Sequence, residues 1–208
     1  MSEITIEYYG HSCFRILYEN YSVVFDPYQD GSVPGLKLPS GIQADAVFCS
    51  HSHADHNAAE LIHLTGRKLP FPVQKIQVPH DDANGTKRGM TDITSVSFGN
   101  TVITHMGDIG REPTKEEYRK ISRTDVLMIP VGGYFTIDAG MAEKIMKKVS
   151  AKLNILVHYR KGNRGYEVLS DICDIRKEIP ELKELSDHSI SFSEETIPVE
   201  TITLEPMQ

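Results

Sequence analysis

The sequence predicts a layered α/β domain, because strand and helix patterns occur in the same order in both halves of the chain. In each half a hairpin pattern ends in an aspartate, at Asp26 and at Asp108. An apolar strand pattern that opens into a loop comes next, "ADAVFCSHSH" at 44–53 and "TDVLMIPVGG" at 124–133, and a helical pattern follows. Two such halves can pack sheet against sheet with helices outside.

The first half begins with alternating apolar segments that predict an antiparallel meander. These segments are Ile4–Tyr9, "SCFRILYE" at 12–19 and "YSVVFDP" at 21–27. "DAVFCS" at 45–50 is typical of a buried strand. "DHNAAELIHL" at 55–64 has helical spacing, with Asp55 as a cap and Gly66 beyond the end, so we expect a helix there.

The second half predicts a hairpin over "VSFGNTVITHMGD" at 96–108 and a buried strand at 124–133. "DAGMAEKIMKKVSAK" at 138–152 has the spacing of an amphipathic helix. "LNILVHYR" at 153–160 predicts one more strand, which ends at His158. "CDIRKEIPELKEL" at 173–185 predicts a final helix broken at Pro180.

Length and composition indicate one ordinary domain covering residues 1–208, without a Pro/Gly/Ser-rich linker. The formal net charge of -7 argues against broad nucleic-acid binding, which relies on a basic surface. The three cysteines are an odd number, so reduced thiols explain them better than disulfides. Without an apolar span of ~20 residues or a leader pattern, we expect a cytoplasmic protein with no membrane partner. The sequence leaves the oligomeric state open.

The loop "CSHSHADHNA" at 49–58 places three histidines and an aspartate within six positions after an apolar strand. His51 and His53 are two residues apart, so both imidazoles can face one ion in an extended segment. A turn at Ala54 sends Asp55 and His56 elsewhere, which leaves two ligands for a second ion. Paired metal ions ~3.5 to 4 Å apart are a known hydrolytic arrangement. The spacing HxHxDH therefore indicates a metal site.

Further candidate ligands terminate other apolar runs. His80 follows "IQVP", Asp108 ends "TVITHMGD" and His158 ends "LNILVH". Loops that converge at strand ends would bring these side chains to one rim. His105 differs from Asp108 by an odd number of residues along a strand, so we expect it to face away and to be structural.

The order of HSHADH, His80, the Gly107–Asp108 pair and His158 resembles the metallo-β-lactamase superfamily. "GHSCF" at 10–14, "DP" at 26–27 and "PVGGYFTID" at 130–138 extend the resemblance over nearly the whole chain. These segments look like the small stand-alone metal-dependent hydrolases of that superfamily, and the chain is also similar to its ascorbate-phosphate lactonases. The fold that the resemblance implies is a four-layer αβ/βα sandwich.

Carried over residue by residue, the resemblance implies two metal sites. His51, His53 and His80 would hold the first ion. Asp55, His56 and His158 would hold the second, with Asp108 bridging. Two divalent ions per chain are thus expected; nitrogen-rich ligands favour zinc, while the carboxylates leave manganese or iron open.

The predicted activity is hydrolysis by a bridging hydroxide, with Asp55 as a catalytic residue that orients it. No GxSxG elbow or Walker loop competes with this interpretation. Two alternatives stay open on the same fold: a diiron redox protein and a non-catalytic metal-binding protein.

The substrate is less well defined by the sequence. Five cations follow the ligands on loops expected at the mouth of the site: Lys87, Arg88, Arg160, Lys161 and Arg164. On an acidic protein this set favours a small anionic ester, lactone or phosphoester. Arg88 is the preferred substrate-binding residue, because Gly85 and Gly89 in its loop allow close approach to a ligand.

Two further residues are expected near the site. His11, in "YYGHSCF", is predicted either to bind substrate or to support a ligand. Asp26 is the counterpart of Asp108 without histidine partners, so we expect it to support the ligand loop by hydrogen bonds.

Overall fold

The structure is a computed structural model that describes residues 2–207. Its strands, in chain order, are β1 (Glu3–Gly10), β2 (Cys13–Tyr18), β3 (Tyr21–Phe25), β4 (Gln43–Ala44), β5 (Ala46–Phe48), β6 (His63–Leu64), β7 (Val73–Pro79), β8 (Met90–Phe98), β9 (Thr101–His105), β10 (Val126–Pro130), β11 (Leu153–Val157), β12 (Lys183–Glu184), β13 (Ser189–Ser193) and β14 (Glu200–Thr203). The helices are α1 (Lys115–Ile121), α2 (Ala139–Val149) and α3 (Ile172–Glu178), and a short 3-10 helix spans Ala59–Leu61.

Two mixed sheets form the centre of the fold. The first has five strands in the order β13-β1-β2-β3-β5, and the second has seven in the order β12-β14-β11-β10-β9-β8-β7. β3 pairs parallel to β5 at the edge of the first sheet, and β9, β10 and β11 pair parallel within the second. The carboxyl ends of these parallel strands therefore lie at matching edges of the sheets.

The main core lies between the two sheets. Ile6 and Ile16 of the first sheet belong to one buried cluster with Phe98, Met128 and Ile155 of the second. These side chains are removed from water, which is the dominant favourable contribution to folding.

The outer face of the second sheet packs against the helices. Ile145 of α2 and Ile172 of α3 join a second buried cluster with Leu127 and Ile129 of β10. The predicted helix over 138–152 is confirmed as α2, and the Asp138 carboxylate caps it by accepting a hydrogen bond from the Met141 N–H at 2.8 Å.

The outer face of the first sheet is covered mainly by irregular chain. Tyr28, Val33, Leu36 and Leu38 follow β3 and pack in a third buried cluster with Val24. The layered α/β sandwich is thus present, but its helices lie on one outer side. Among residues 2–207, no helix is long and apolar enough to cross a membrane.

The predicted meander and hairpin are confirmed as β1-β2-β3 and β8-β9. The predicted strand at 45–50 is shorter and only half-buried, because β5 lies at a sheet edge with β3 as its one neighbour. The last predicted helix ends as α3 at Glu178; beyond Pro180 the chain forms β12 and pairs with β14.

The helix predicted at 55–64 is wrong. Only a 3-10 turn forms there, and β6 pairs parallel with β4. The Asp55 side chain does not cap a helix, because it faces His11 at 3.2 Å. Tertiary contacts of this segment outweigh its helical spacing. A second omission is α1, although its capping box of Thr114 and Glu117 is visible as TKEE in the sequence.

Candidate metal centre

The predicted ligands lie together at one edge of the two sheets. His51 to His56 follow β5, while His80, Asp108 and His158 follow β7, β9 and β11. These strands run in the same direction within each sheet, so their carboxyl ends open onto one shared rim. The expected convergence of loops is thus present in the structure.

The first predicted set, His51, His53 and His80, is a compact cluster. One ligand atom from each residue lies within 4.8 Å of the others. The ring centroid of His51 is 4.6 Å from that of His53 and 4.5 Å from that of His80. The three imidazoles can therefore face a common point.

The second predicted set, Asp55, His56 and His158, is also compact and includes His11. One ligand atom from each of these four residues lies within 4.8 Å of the others. His11 differs from the rest because its Nε2 atom lies 3.2 Å from Asp55 Oδ2, where it can donate a hydrogen bond to the carboxylate.

Asp108 lies between the two sets. Its Oδ2 atom is 3.2 Å from His158 Nε2, 3.3 Å from His56 Nε2 and 3.5 Å from His80 Nε2. One carboxylate thus contacts members of both sets.

A hydrogen-bond network behind the ligands fixes how their imidazoles face the site. His56 Nδ1 lies 2.7 Å from Asp26 Oδ2 and can donate to it. Ser50 donates its hydroxyl to the same Asp26 oxygen at 2.7 Å and lies 3.0 Å from His51 Nδ1. His80 Nδ1 lies 3.3 Å from the Phe135 carbonyl. In each case a proton on Nδ1 leaves the Nε2 lone pair facing the centre.

Four of the inward-facing ligand atoms lack a well-formed hydrogen bond among the described residues. These are the buried Nε2 atoms of His51, His56 and His80 and the buried Oδ1 of Asp108, although Nε2 of His56 and of His80 lie 3.3 and 3.5 Å from Asp108 Oδ2. Buried polar atoms are normally satisfied, so a cluster of four exceptions needs an explanation. Nitrogen and carboxylate donors with free lone pairs suit a divalent cation, and the residues therefore fit metal ions.

Charge states in the cluster also suit metal binding. Burial, together with the charge of His56, lowers the pKa of His51 to about 3. Burial would raise the pKa of Asp108, but His158 and His56 hold it well below its ordinary value. Burial acts the same way on Asp55, whose pKa is nevertheless lowered by the hydrogen bond from His11 and by His56. Metal ligands must be deprotonated, and these directions favour that state.

The pKa of His56 is raised, whereas that of His51 is lowered. Burial alone would lower the pKa of His56, but Asp108 and Asp26 raise it well above the ordinary value. A cation bound between these groups would take the place of the proton.

Asp26 and His105 take the expected supporting and structural roles, but Asp26, which was expected to be without histidine partners, has one in His56. Asp26 is fully buried and accepts hydrogen bonds from the Ser50 N–H at 2.6 Å and from His56. His105 faces away from the ligands, where its Nε2 lies 3.0 Å from the Ser12 carbonyl and its ring stacks on Phe25. The expected supporting role of Asp26 and the structural role of His105 are confirmed.

A cavity of ≈ 180 Å³ opens onto the cluster. Its lining consists of Asp55, His80, Arg88, Asp108, Tyr134, His158, Tyr166, Val168 and Leu169. His11 is not among these residues and is 3 % exposed, so its contact with Asp55 favours the supporting role over substrate binding.

Arg88 alone of the five predicted cations lines this cavity. Its guanidinium lies 5.0 Å from the centre of the Phe135 ring. The other four form ion pairs with acidic neighbours: Lys87 with Asp82, Arg160 with Asp171, Lys161 with Glu184 and Arg164 with Glu205. Four of the five cations expected at the mouth therefore do not line this cavity and are already paired with acids.

No individual role was predicted for Tyr134, Phe135 and Tyr166, which lie in or beside the cavity. The first two follow Gly132–Gly133 at the end of β10, and a glycine pair after a strand followed by two aromatic residues was a usable signal. Tyr166 lies in an irregular loop, and no local pattern points to it.

Known proteins are similar to this chain in sequence and in fold. Residues 5–158 match the family model of the β-lactamase superfamily domain. A UPF0173 metal-dependent hydrolase from Thermofilum pendens is 25% identical over 189 residues, covering 74% of this chain and 82% of the relative. A second, from Carboxydothermus hydrogenoformans, is 26% identical over 191 residues, covering 74% and 84%.

Two solved structures have the same fold. One is a protein from Thermotoga maritima assigned as a Zn-dependent hydrolase of the metallo-β-lactamase superfamily; it has a TM-score of 0.76 and 21% identity, and the match covers 97% of this chain and 98% of that one. The other is an isothiocyanate hydrolase from gut bacteria of Delia radicum, with a TM-score of 0.68, 12% identity and coverage of 98% and 97%. The metallo-β-lactamase fold implied by the sequence is thus confirmed.

Proposed function

The chain belongs to the β-lactamase superfamily and is a metal-dependent hydrolase; we propose that it uses two divalent ions to hydrolyse a small anionic ester, lactone or phosphoester. The observation that carries this proposal is the cluster of inward-facing ligand atoms that lack a well-formed hydrogen bond among the described residues, at the floor of a cavity. Arg88 on the cavity wall supports an anionic substrate.

The assignment of ligands to the two ions follows the family resemblance, and two of the three ligand clusters in the structure support it, while the third, His51, His56 and Asp108, joins the two sets. His51, His53 and His80 would hold the first ion, and Asp55, His56 and His158 the second. Asp108 would serve both, since its Oδ2 contacts His80 from one set and His158 from the other. Five imidazoles among seven ligands favour zinc over manganese or iron.

Two such ions, when bound, supply a water-derived nucleophile at neutral pH and polarise the substrate's carbonyl or phosphoryl oxygen. The chain's own residues then have positioning tasks. Asp26 holds the His56 ring through Nδ1, and His11 holds Asp55 through Oδ2. Asp55 lines the cavity and would orient the nucleophile toward the substrate.

Arg88 would bind the substrate's anionic group. A guanidinium forms paired hydrogen bonds with a carboxylate or phosphate. Arg88 forms no ion pair with any described residue, whereas each of the other four cations pairs with an acidic residue. Its loop is rigid because the buried Asp81 carboxylate accepts hydrogen bonds from the backbone N–H groups of Ala83, Gly85, Lys87 and Arg88.

Metal content and hydrolysis test the proposal together. Protein purified without added metal and then loaded should bind two ions per chain and hydrolyse members of a panel of anionic esters, lactones and phosphodiesters. A chelator should abolish turnover, and zinc should restore it. A fully loaded sample that never exceeds one ion per chain, or that is inert to the whole panel, would contradict the proposal.

The role of Arg88 has its own test. Arg88→Lys should raise KM for a charged substrate clearly more than for a neutral analogue, with metal content unchanged. Arg123→Lys is the matched control, because Arg123 is exposed and lines a different cavity. Equal effects on both substrates, or loss of metal, would show that Arg88 supports the loop structure instead.

A further inference from the structure

The cavity above the ligands has two chemically different sides. Arg88 provides a cation, whereas Tyr134, Val168 and Leu169 provide an apolar surface, here called the apolar wall. The apolar wall belongs to the same cavity as Asp55 and His158, so a molecule that reaches the ligands can also contact it.

Two members of the apolar wall are unusually exposed. Tyr134 is 59% exposed and Val168 is 55% exposed. A single exposed apolar residue needs no explanation, but apolar side chains that share a concave surface mark binding sites. Leu169 is buried and lines the same cavity.

The backbone holds Tyr134 in a conformation that L residues rarely adopt. Tyr134 and Phe135 have φ values of 50° and 71°. The turn is fixed by a hydrogen bond from Thr136 Oγ1 to the Gly133 carbonyl at 2.8 Å and by one from the Ile137 N–H to the Ile109 carbonyl at 2.9 Å. Backbone strain of this kind persists at functional sites, where it places side chains.

The loop that carries Val168 and Leu169 is also fixed. The Ser170 N–H donates to the Gly132 carbonyl at 2.9 Å, which ties this loop to the strand end before Tyr134. The Tyr166 hydroxyl donates to the Ser32 carbonyl at 2.6 Å. The apolar wall is therefore preformed, and binding would not need to order it.

We propose that the apolar wall binds an alkyl or aryl group of the substrate while Arg88 binds its anionic group, so that the preferred substrate is amphiphilic. This inference rests on the proposed hydrolase function and names its substrate class. Tyr134 and Val168 are the specificity-determining residues, since their side chains form the exposed part of the apolar wall.

Binding of simple carboxylates tests the inference without requiring turnover. Acetate, butyrate and hexanoate are titrated into zinc-loaded protein by calorimetry. Each buried methylene contributes about 0.8 kcal/mol, which corresponds to about fourfold in affinity. If both added methylenes are buried, affinity should therefore increase about 15-fold with each two-carbon step. The same trend is expected in kcat/KM for a matching series of esters.

Variants locate the effect. Val168→Ser and Tyr134→Ser should flatten the dependence on chain length, with acetate affinity and zinc content unchanged. Tyr134→Phe, which keeps the ring, should retain the dependence. Val199→Ser is the matched control: Val199 is 82% exposed and lies in another cavity, so this variant should behave as wild type.

The outcomes separate this inference from the function on which it rests. If the esters are hydrolysed but affinity and kcat/KM are flat across chain length, the apolar wall does not bind substrate and the hydrolase assignment stands. If chain length matters equally in Val168→Ser and in wild type, the inference also fails. Length-dependent carboxylate binding that is lost in Val168→Ser supports it even if no ester in the series is turned over, a result that would count against the proposed reaction instead.

Discussion

Replacement of Asp26 by asparagine should weaken binding of the second metal ion while leaving the fold intact. Asp26 is buried and contacts His56 and Ser50, not the predicted ions themselves. The amide has almost the same shape as the carboxylate, but it cannot carry the charge that strengthens the hydrogen bond from His56 Nδ1. A change in metal affinity would therefore report on orientation of the ligand.

The size of the effect follows from the hydrogen bonds. A bond to a charged group contributes ~1.5 to 3 kcal/mol and a neutral one ~0.5 to 1.5, so Asp26→Asn loses about 1 to 1.5 kcal/mol at the His56 contact alone. That is about tenfold in affinity. Asp26 also accepts hydrogen bonds from the Ser50 N–H and hydroxyl, and weakening of these bonds adds to the loss. Changes behind a metal ligand typically reduce metal affinity ~10- to 100-fold.

The assay is a zinc titration against a chromophoric chelator, with unfolding followed separately. Asp45→Asn is the control, because Asp45 is also buried and accepts a hydrogen bond from a backbone N–H, at Ser22, but lies in the ion pair with Arg67. Asp26→Asn should weaken zinc binding at the second of the two proposed sites, and Asp45→Asn at neither. Wild-type affinity in Asp26→Asn, or an equal loss in both variants, would refute the orientation argument.

Three further outcomes are expected. Asp55→Ala should lower kcat by orders of magnitude while the protein still retains its first ion, as metal analysis would show. Asp81→Asn should raise KM with little change in kcat, because the carboxylate that fixes the loop of Arg88 accepts four backbone N–H groups. In metal-free protein, His11→Gln should make stability less sensitive to acid. Burial and the charge of His158 lower the pKa of His11 to about 4, so between about pH 6.5 and 4 the unfolded chain binds a proton that the folded one does not, and stability decreases by up to about 3 kcal/mol as pH falls.

Controls for these outcomes are available in the chain. Unchanged kcat in Asp55→Ala would mean that the ligand loop has been misinterpreted. Asp82→Asn is the matched control for Asp81→Asn, since Asp82 is exposed and pairs with Lys87. Equal KM values in the two variants would show that Asp81 does not position Arg88. For His11→Gln, thermal unfolding between pH 7 and pH 4 should show a smaller loss of stability than in wild type. An equal loss of stability in the two proteins would contradict the lowered pKa of His11.

The ligands could be predicted because their signals are local. HxHxDH follows a strand, and His80, Asp108 and His158 each follow an apolar run. A parallel strand must end at the same rim as its neighbours, so a strand-end position in the sequence translates directly into a position in space. Spacing within HxHxDH separated His51 and His53 from Asp55 and His56, but only the resemblance to a known family assigned His80, Asp108 and His158 to particular ions.

Features that depend on partners distant in the chain could not be predicted. The segment 55–64 has helical spacing, yet its backbone pairs with β4 and with Pro27. The cations after His158 are bound by acids that lie up to 44 residues away, such as Glu205 for Lys161. Nothing near Lys161 in the sequence indicates that its charge is already neutralised.

The distribution of ligands over the two sheets affects when the protein can acquire metal. Each ligand set combines residues that follow β5 of the first sheet with one that follows a strand of the second, His80 in one set and His158 in the other. The second set is incomplete until residue 158 has been synthesised and β11 has joined its sheet. A bound ion would then act as a cross-link between the sheets, and its release free energy would be coupled to unfolding of the whole domain. Under the proposed assignment, the second ion would thus be captured late in the life of the nascent chain, only by molecules whose two sheets have already assembled.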